Sequence, residues 1–375
     1  MGLPSSVQKA MRNINKRFGE GVVGTLREKE EDLTIGFYKT PSIEFNNMLG
    51  GGFPIGKLIE LYGANSSGKT SLAIETIAFN QKNNENFIAG WFETEESFDY
   101  EYAEMLGIDT DRIVIWDQRD TGAEQGLDIL RGLITDGNFN MIVINSVAGL
   151  TPKKELEDDI GKANIALQAR IMSKLMRVIT GSAAKNKCSI IFVNQLRTNV
   201  GQMFGDPNLP TGGKALGYYA SQRIGMRKNK LQADDPITTE EGVKIHCIVR
   251  KNRVLHVNPF RQCDYYARFG KGIDNKVQLP KLLVESGIVT KGGAWYKYKD
   301  ENDECMVVNG IEMKFQGKTK FLEALENPEI EKYFQEVLDG KIKKGELPVR
   351  FMSKEQQMTI EKQEDKNQMQ MEELE

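Results

Sequence analysis

The stretch GANSSGKTS at residues 63–71 limits the fold of this chain more than any other segment. Gly63 is followed by four residues and then Gly68-Lys69-Thr70. The apolar run KLIELY stands before it and the helical pattern SLAIETIAF behind it. A strand running through such a loop into a helix is a phosphate cradle. The glycines let backbone N–H groups turn inward, and the helix N-terminus adds partial positive charge. Lys69 is spaced to reach terminal phosphates, and the Thr70 hydroxyl to ligate magnesium. Gly63, Ser66, Ser67, Gly68, Lys69, Thr70 and Ser71 are the candidate nucleotide-binding set. The loop also dictates architecture, because open α/β sheets bind ligands beyond the carboxyl ends of their strands.

The rest of the chain supplies such a sheet. From residue 35 to 272, the apolar runs KLIELYG, FIAGWFE, RIVIWD, MIVINS, SIIFVNQ, QRIGMR and VKIHCIVRK alternate with helical patterns. That alternation predicts an α/β domain with a mostly parallel central sheet. Residues 273–345 read as a smaller α/β domain, with helices in LPKLLVESGIV and KFLEALENPEIEKYFQEVLDG and a hairpin in GAWYKYKDENDECMVVNGIEM. Residues 1–34 stand apart. Val7, Met11, Ile14 and Phe18 are spaced for a short amphipathic helix over 5–18, which suits either an arm docking on a neighbour or a helix packed on its own domain. Residues 346–375 end in a stretch of seven acidic and three basic residues from Ser353, which reads as a disordered acidic tail.

Composition removes several classes of function. The formal net charge of −3 gives no global attraction to nucleic acid, so any such affinity must sit in a local patch. Four cysteines without a CxxC pair argue against a zinc knuckle or disulfide framework and fit a reducing cytoplasm. Two histidines make a multi-histidine metal site improbable. No apolar leader or membrane-length run is present, so no membrane partner is expected.

Three further stretches bear on chemistry. Glu93, Glu95 and Glu96 close a strand in GWFETEES, where one could orient an attacking water; an ordinary acidic helix start explains them equally well. Gln195 ends SIIFVNQ and could sense a terminal phosphate. The segment after it, LRTNVGQMFGDPNLPTGGKALG, is a long loop without regular pattern. Its Arg197 and Lys214 with Val200, Met203 and Phe204 suit a single-stranded nucleic acid, which is held by charge and by apolar wedges. MIVINS ends in Asn145, where nucleotide-hydrolysing enzymes usually carry an aspartate for the metal.

Taken together, RFGEGVV, GGGFPIGKLIELYGANSSGKTSLAIETIA, FETEESFDYEYAEMLGID, DTGAEQGLDIL, VINSVAGLTPKKELEDDIG, ARIMSKLMR, NQLRTNVGQMFGDPNLPTGGKAL and GAWYKY resemble the RecA-type recombinases. The resemblance covers nearly the whole chain. It implies a RecA-like phosphate-loop ATPase core with an N-terminal oligomerisation arm. It implies ATP and Mg2+ as cofactors, and helical self-assembly on single-stranded DNA. Pairing with homologous duplex DNA follows, in recombination, repair and the SOS response to DNA damage. Mediator and single-strand-binding proteins would be further partners.

Residue by residue, the water-activating glutamate falls on Glu95, and the aromatic that stacks on adenine on Tyr102, with Asp99 beside it. The phosphate-to-DNA switch falls on Gln195. Residues 157–165 match the first DNA loop, with Ile165 as its wedge. Residues Arg197 to Gly217 match the second, with Val200 as its wedge and Gly212 and Gly213 near its end. Arg170 and Arg177, seven apart on a helix, fall near DNA phosphates. Lys251 and Arg253 match a basic pair that reaches the neighbouring subunit's ATP.

The departures are Asn145 for aspartate, Arg253 for lysine, Gly217 for a basic residue and an insertion at HVN, 256–258. Asn145 lowers the expected magnesium affinity or turnover, and leaves a second reading open: a DNA-coating scaffold that binds ATP and barely hydrolyses it.

Overall fold

The structure, a computed structural model, describes residues 2–118, 122–159, 167–198, 208–233, 235–254 and 261–358. Ile165, Val200, the 256–258 insertion and residues 359–375 lie outside them.

All seven strand runs form strands of one mixed sheet. In chain order they are β1 (Leu58–Gly63), β2 (Ala89–Glu93), β3 (Ile113–Asp117), β4 (Met141–Asn145), β5 (Ser189–Thr198), β6 (Gln222–Asn229) and β7 (Gly242–Asn252). Two more, β8 (Gln262–Arg268) and β9 (Gly272–Ile273), extend it to the order β9-β8-β7-β6-β1-β5-β4-β2-β3. From β6 to β3 neighbours run parallel; β6 to β9 pair antiparallel. The inner parallel strands β1, β5, β4 and β2 are buried on both faces, which explains their unbroken apolar runs, whereas the edge strand β3 leaves Val114 and Ile115 exposed.

Alternate side chains feed two cores. Ile59, Leu61, Trp91, Val143 and Ile191 face one side, under helices α2 (Ile43–Leu49) and α3 (Lys69–Asn83). Leu58, Phe92, Ile142, Ile144 and Phe192 face the other, under α5 (Ala123–Thr135) and α6 (Leu167–Lys185). A short α4 (Tyr100–Met105) follows β2, and α7 (Ala215–Tyr219) precedes β6.

The small domain has its own core. It holds α8 (Leu279–Glu285), the antiparallel sheet β10 (Val289–Gly292), β11 (Trp295–Tyr298) and β12 (Lys314–Gln316), then α9 (Gly317–Leu325) and α10 (Pro328–Leu338). It departs from the sequence expectation in three places. LPKLLVESGIV stops being helix at Glu285 and enters β10 at Val289, after the left-handed Gly287. KFLEALENPEIEKYFQEVLDG is two helices, because Asn327 caps Glu329 N–H and Pro328 opens a new first turn. Residues 346–351, expected in the tail, close the domain: Phe351 is fully buried, 5.1 Å from the Tyr333 ring.

The domain meets the large α/β domain through polar contacts. Asn275 accepts from Ile43 N–H and donates to the Pro41 carbonyl, and Lys281 pairs with Glu44 at 3.1 Å. Helix α1 (Ser5–Phe18) buries no residue; its Val7, Ile14 and Phe18 are exposed. Among the described residues, no helix is long and apolar enough to cross a membrane.

Candidate functional site

Parallel register brings the candidate residues together. Gly63 aligns with Gln195, and Glu93 with Asn145, so four strands end at one carboxyl edge. In the phosphate loop Gly68 has φ +81°, a left-handed conformation that suits glycine and lets the chain turn into α3. Ser66 is left-handed as well. Lys69 is buried and folds back on the loop. Its Nζ donates to the carbonyls of Ala64 at 2.8 Å and Gly63 at 3.2 Å, and to Ser67 Oγ at 3.2 Å. Burial lowers its pKa; the Glu95 charge opposes that shift.

Asn145 occupies a fully polar niche. Its Oδ1 accepts from Thr70 Oγ1 at 3.1 Å, and its Nδ2 donates to Glu93 Oε2 at 3.1 Å. Glu93, which the sequence left level with Glu95 and Glu96, is buried and fully engaged by Trp91 Nε1 and Glu95 N–H. A carboxylate so held positions its neighbours rather than taking a proton from water. Glu95 is exposed at the rim. Its Oε1 accepts from Gln195 Nε2 at 2.7 Å and from Ser146 Oγ. The structure therefore joins the two residues that stood a hundred positions apart in the sequence. Glu96 is exposed and left-handed.

Gln195 continues directly into the long loop. Leu196, Arg197 and Thr198 pair antiparallel with residues 208–210, closing a hairpin at the loop's base. Asn194 ties both ends: its Oδ1 accepts from Gln195 N–H and Thr211 Oγ1, and its Nδ2 donates to the Thr211 carbonyl. Gly212 is buried with φ +81°, and a Cβ there would lie 2.6 Å from Val147, so a larger residue would displace the loop's return. Gly213 is exposed. Arg170 and Arg177 lie exposed on α6, opposite its buried Met172, Met176 and Ile179.

Lys251 and Arg253 are not beside this loop. The ladder Glu60–Arg223–Lys251 puts them toward the amino end of β1, away from Gly63. Lys251 Nζ donates to the carbonyls of Gly217 and Tyr218, and Arg253 to that of Tyr218. Burial first, then Arg253 and Arg223, push the Lys251 pKa down to about 8.

Sequence reasoning missed one wall of the site. Beside the phosphate loop a cavity of about 260 Å³ is lined by Ser66, Gly68 and Ser71, by Glu75 on α3 and Tyr102 on α4, and by Ile245, Tyr265, Phe269 and Gly270 around β7 and β8. Tyr102 Oη donates to Ser71 Oγ at 3.2 Å, while Asp99 caps α4 by accepting from Tyr102 N–H. The β7–β8 residues carry no motif. Only the antiparallel extension of the sheet brings them here.

A magnesium ion fits the donor set. Thr70 Oγ1 and Asn145 Oδ1 stand together, with the Glu93 carboxylate behind them. Magnesium keeps several waters and takes phosphate oxygens, so it needs few protein ligands.

Comparison with known proteins shows the family. The RecA N-terminal domain family matches residues 5–274. Protein RecA of Clostridium acetobutylicum is 37% identical over 350 residues, covering 91% of this chain and 96% of that protein. Protein RecA of Syntrophus aciditrophicus is 40% identical over 298 residues, 79% of this chain and 84% of its own length. With the phosphate loop, the carboxyl-edge cluster and this match, the chain belongs to the RecA family of homologous recombinases, which are DNA-dependent phosphate-loop ATPases.

Proposed function

We propose that this chain assembles head to tail on single-stranded DNA with ATP bound between subunits, pairs that strand with homologous duplex, and couples release to hydrolysis. The contact that carries this reading is Gln195 Nε2 on Glu95 Oε1 at 2.7 Å. Glu95 takes a proton from the attacking water, and Gln195 shares its carboxylate. A terminal phosphate competes for the Gln195 amide and so changes the strand that leads into the loop. Asn194 transmits that change to both ends of the loop. Loop and α6 then hold DNA through charge and base wedging, with little sequence preference. Arg170, Arg177 and Arg197 supply charge, Ile165 and Val200 the wedges, and Gly212 and Gly213 the turn that returns the loop.

Lys69 and the backbone from Gly63 to Ser71 hold the phosphates, and Tyr102 with Asp99 borders the base. Magnesium, when bound with the nucleotide, neutralises phosphate charge; Thr70 and Asn145 would hold it. The charge that Asn145 lacks is present one strand away on Glu93, which favours a working ATPase over an inert scaffold.

Lys251 and Arg253, turned away from their own phosphate loop, are available to a neighbour's nucleotide. The neighbour is a second copy of this chain. The exposed apolar stripe of α1 suits the exposed Val114 and Ile115 on the edge strand β3.

The test is ATP turnover with and without single-stranded DNA, in the native chain, Glu95→Gln and Asn145→Asp. Strong stimulation by DNA, lost by at least about a hundredfold in Glu95→Gln, is expected. Background turnover in the native chain, with ATP still driving assembly and Asn145→Asp restoring hydrolysis, would instead establish the scaffold.

A further inference from the structure

The cavity beside the phosphate loop ends in two polar atoms, Glu75 Oε1 and the Tyr265 hydroxyl, that make no hydrogen bond among the described residues. Glu75, on the second turn of α3, is 7% exposed. Its Oε2 accepts from Ile273 N–H at 2.7 Å and lies against Gly272, where a Cβ would come within 2.5 Å. No cation pairs with it, and its Oε1 makes no hydrogen bond among the described residues. Tyr265 on β8 is 2% exposed, and its ring is wedged edge-on against Phe45. Its hydroxyl lies at the cavity wall beside Gly68, again without a hydrogen bond among the described residues. Both atoms open onto the cavity rather than being sealed in protein, and polar atoms in so confined a space are completed by a ligand or water. Here the space at their tips holds several times the roughly 30 Å³ share of one water.

We propose that Glu75 and Tyr265 read the edge of the nucleotide's purine and make this site select adenine over guanine. The inference rests on the site binding a nucleoside triphosphate. Both purines present the N7 acceptor; adenine adds a 6-amino donor, guanine a 6-oxo acceptor. The Tyr265 hydroxyl donates to N7 of either base. Glu75 Oε1 accepts from the 6-amino group and repels the 6-oxo group. A site built to satisfy a polar group discriminates strongly, because the wrong base leaves buried atoms unpaired.

Protonation should tune this. Burial without a cation raises the Glu75 pKa to about 7. A neutral carboxyl can donate to a 6-oxo group, so discrimination widens as the pH rises through that value. The groups facing Glu75 are Tyr102 on α4, Tyr265 and Arg268 on β8 and Lys228 on β6. Arg268 is already paired with Asp274 and Glu241.

The experiment is competition of ATP and GTP, each with magnesium, against a fluorescent ATP analogue on the full chain, between about pH 6 and about pH 8. The native chain should prefer ATP by at least about tenfold at the upper end, and less at the lower. Glu75→Gln, whose amide can accept or donate, should lose most of that preference and all of its pH dependence. Tyr265→Phe should weaken both nucleotides by about the same factor and leave the ratio. 7-Deaza-ATP, which lacks N7, should bind the native chain more weakly than ATP and bind Tyr265→Phe no more weakly than ATP does. An unchanged ATP-to-GTP ratio in Glu75→Gln, or an equal loss for 7-deaza-ATP in both proteins, overturns the proposal. Inosine triphosphate, with a 6-oxo group, gives the same answer on the native chain if a variant does not fold: binding equal to ATP overturns it. Failure of the native chain to bind any of these nucleotides would instead remove the nucleotide-site reading itself.

Discussion

At the scale of single residues, the amide at position 145 is the departure with the clearest cost of reversal. Its Nδ2 donates to Glu93 Oε2 at 3.1 Å. An aspartate there would place two carboxylates in contact, one of them buried. Like charges at this separation raise one pKa and destabilise the pair. Asn145→Asp should therefore lower the stability of the nucleotide-free protein by about 1–3 kcal/mol, and magnesium with nucleotide should recover most of it. Thermal melts with and without both ligands check this; an equal loss in the two conditions counts against the account.

Glu75 makes a second residue-scale prediction. Its ordinary carboxyl value, kept in the unfolded chain, is about 4.5, and burial raises it to about 7 in the folded protein. The folded state thus binds the extra proton between those values. The stabilisation is fully present below about 4.5 and is lost as pH rises through about 7. Glu75→Gln, always neutral, should be more stable than the native chain at pH 8 by on the order of 3 kcal/mol, with the gap closing toward pH 4.5. Chemical denaturation across that range measures it; a constant gap would remove burial as the cause.

At the scale of elements, contiguous features were legible and assembled ones were not. The phosphate loop reads from nine adjacent residues because strand, turn and helix follow one another in the chain. The carboxyl-edge cluster was half legible: each strand visibly ends in polar residues, yet spacing left Glu93, Glu95 and Glu96 level, and only the family resemblance pointed to Glu95. Burial then separates them, since Glu93 is spent on Trp91 and Asn145 while Glu95 meets Gln195. The cavity beside the phosphate loop was not legible, because Ile245 and Tyr265 reach it only through antiparallel pairing far downstream. In the small domain the stop at Gly287 and the restart at Asn327-Pro328 were present in the sequence, but apolar periodicity ran through both.

Two element-scale tests follow. Gly212→Ala meets Val147 at 2.6 Å in a left-handed conformation and should cost about 1–3 kcal/mol while weakening DNA stimulation of turnover. Stimulation kept in full would detach the loop's return from catalysis. Removing residues 2–18 takes away a helix with no buried residue. The melting temperature should change little, and ATP-dependent assembly, read by light scattering, should be lost.

At the scale of the whole molecule, the proposed function gives the two ends of the sheet different tasks. Phosphate chemistry sits beyond the carboxyl ends of the parallel strands, and the basic pair Lys251–Arg253 lies toward the other edge. Lys251, its pKa lowered to about 8 by burial and by Arg253 and Arg223, loses charge above that pH. A neighbour's phosphates would raise the value again, so ATP-dependent assembly near that pH takes up protons and weakens as the solution becomes more basic. Lys251→Arg keeps its charge and should assemble with a flatter pH profile. Identical profiles for the two proteins would place Lys251 outside the interface.

The uncovered arm has a consequence for growth. If α1 docks on the next subunit's edge strand β3, as proposed, a head-to-tail chain has unlike termini. One terminus shows a bare arm, the other a bare edge. A synthetic peptide copying residues 5–18 can occupy only the second. It would therefore act as a chain terminator with a direction, stopping elongation at one end while the other keeps adding subunits.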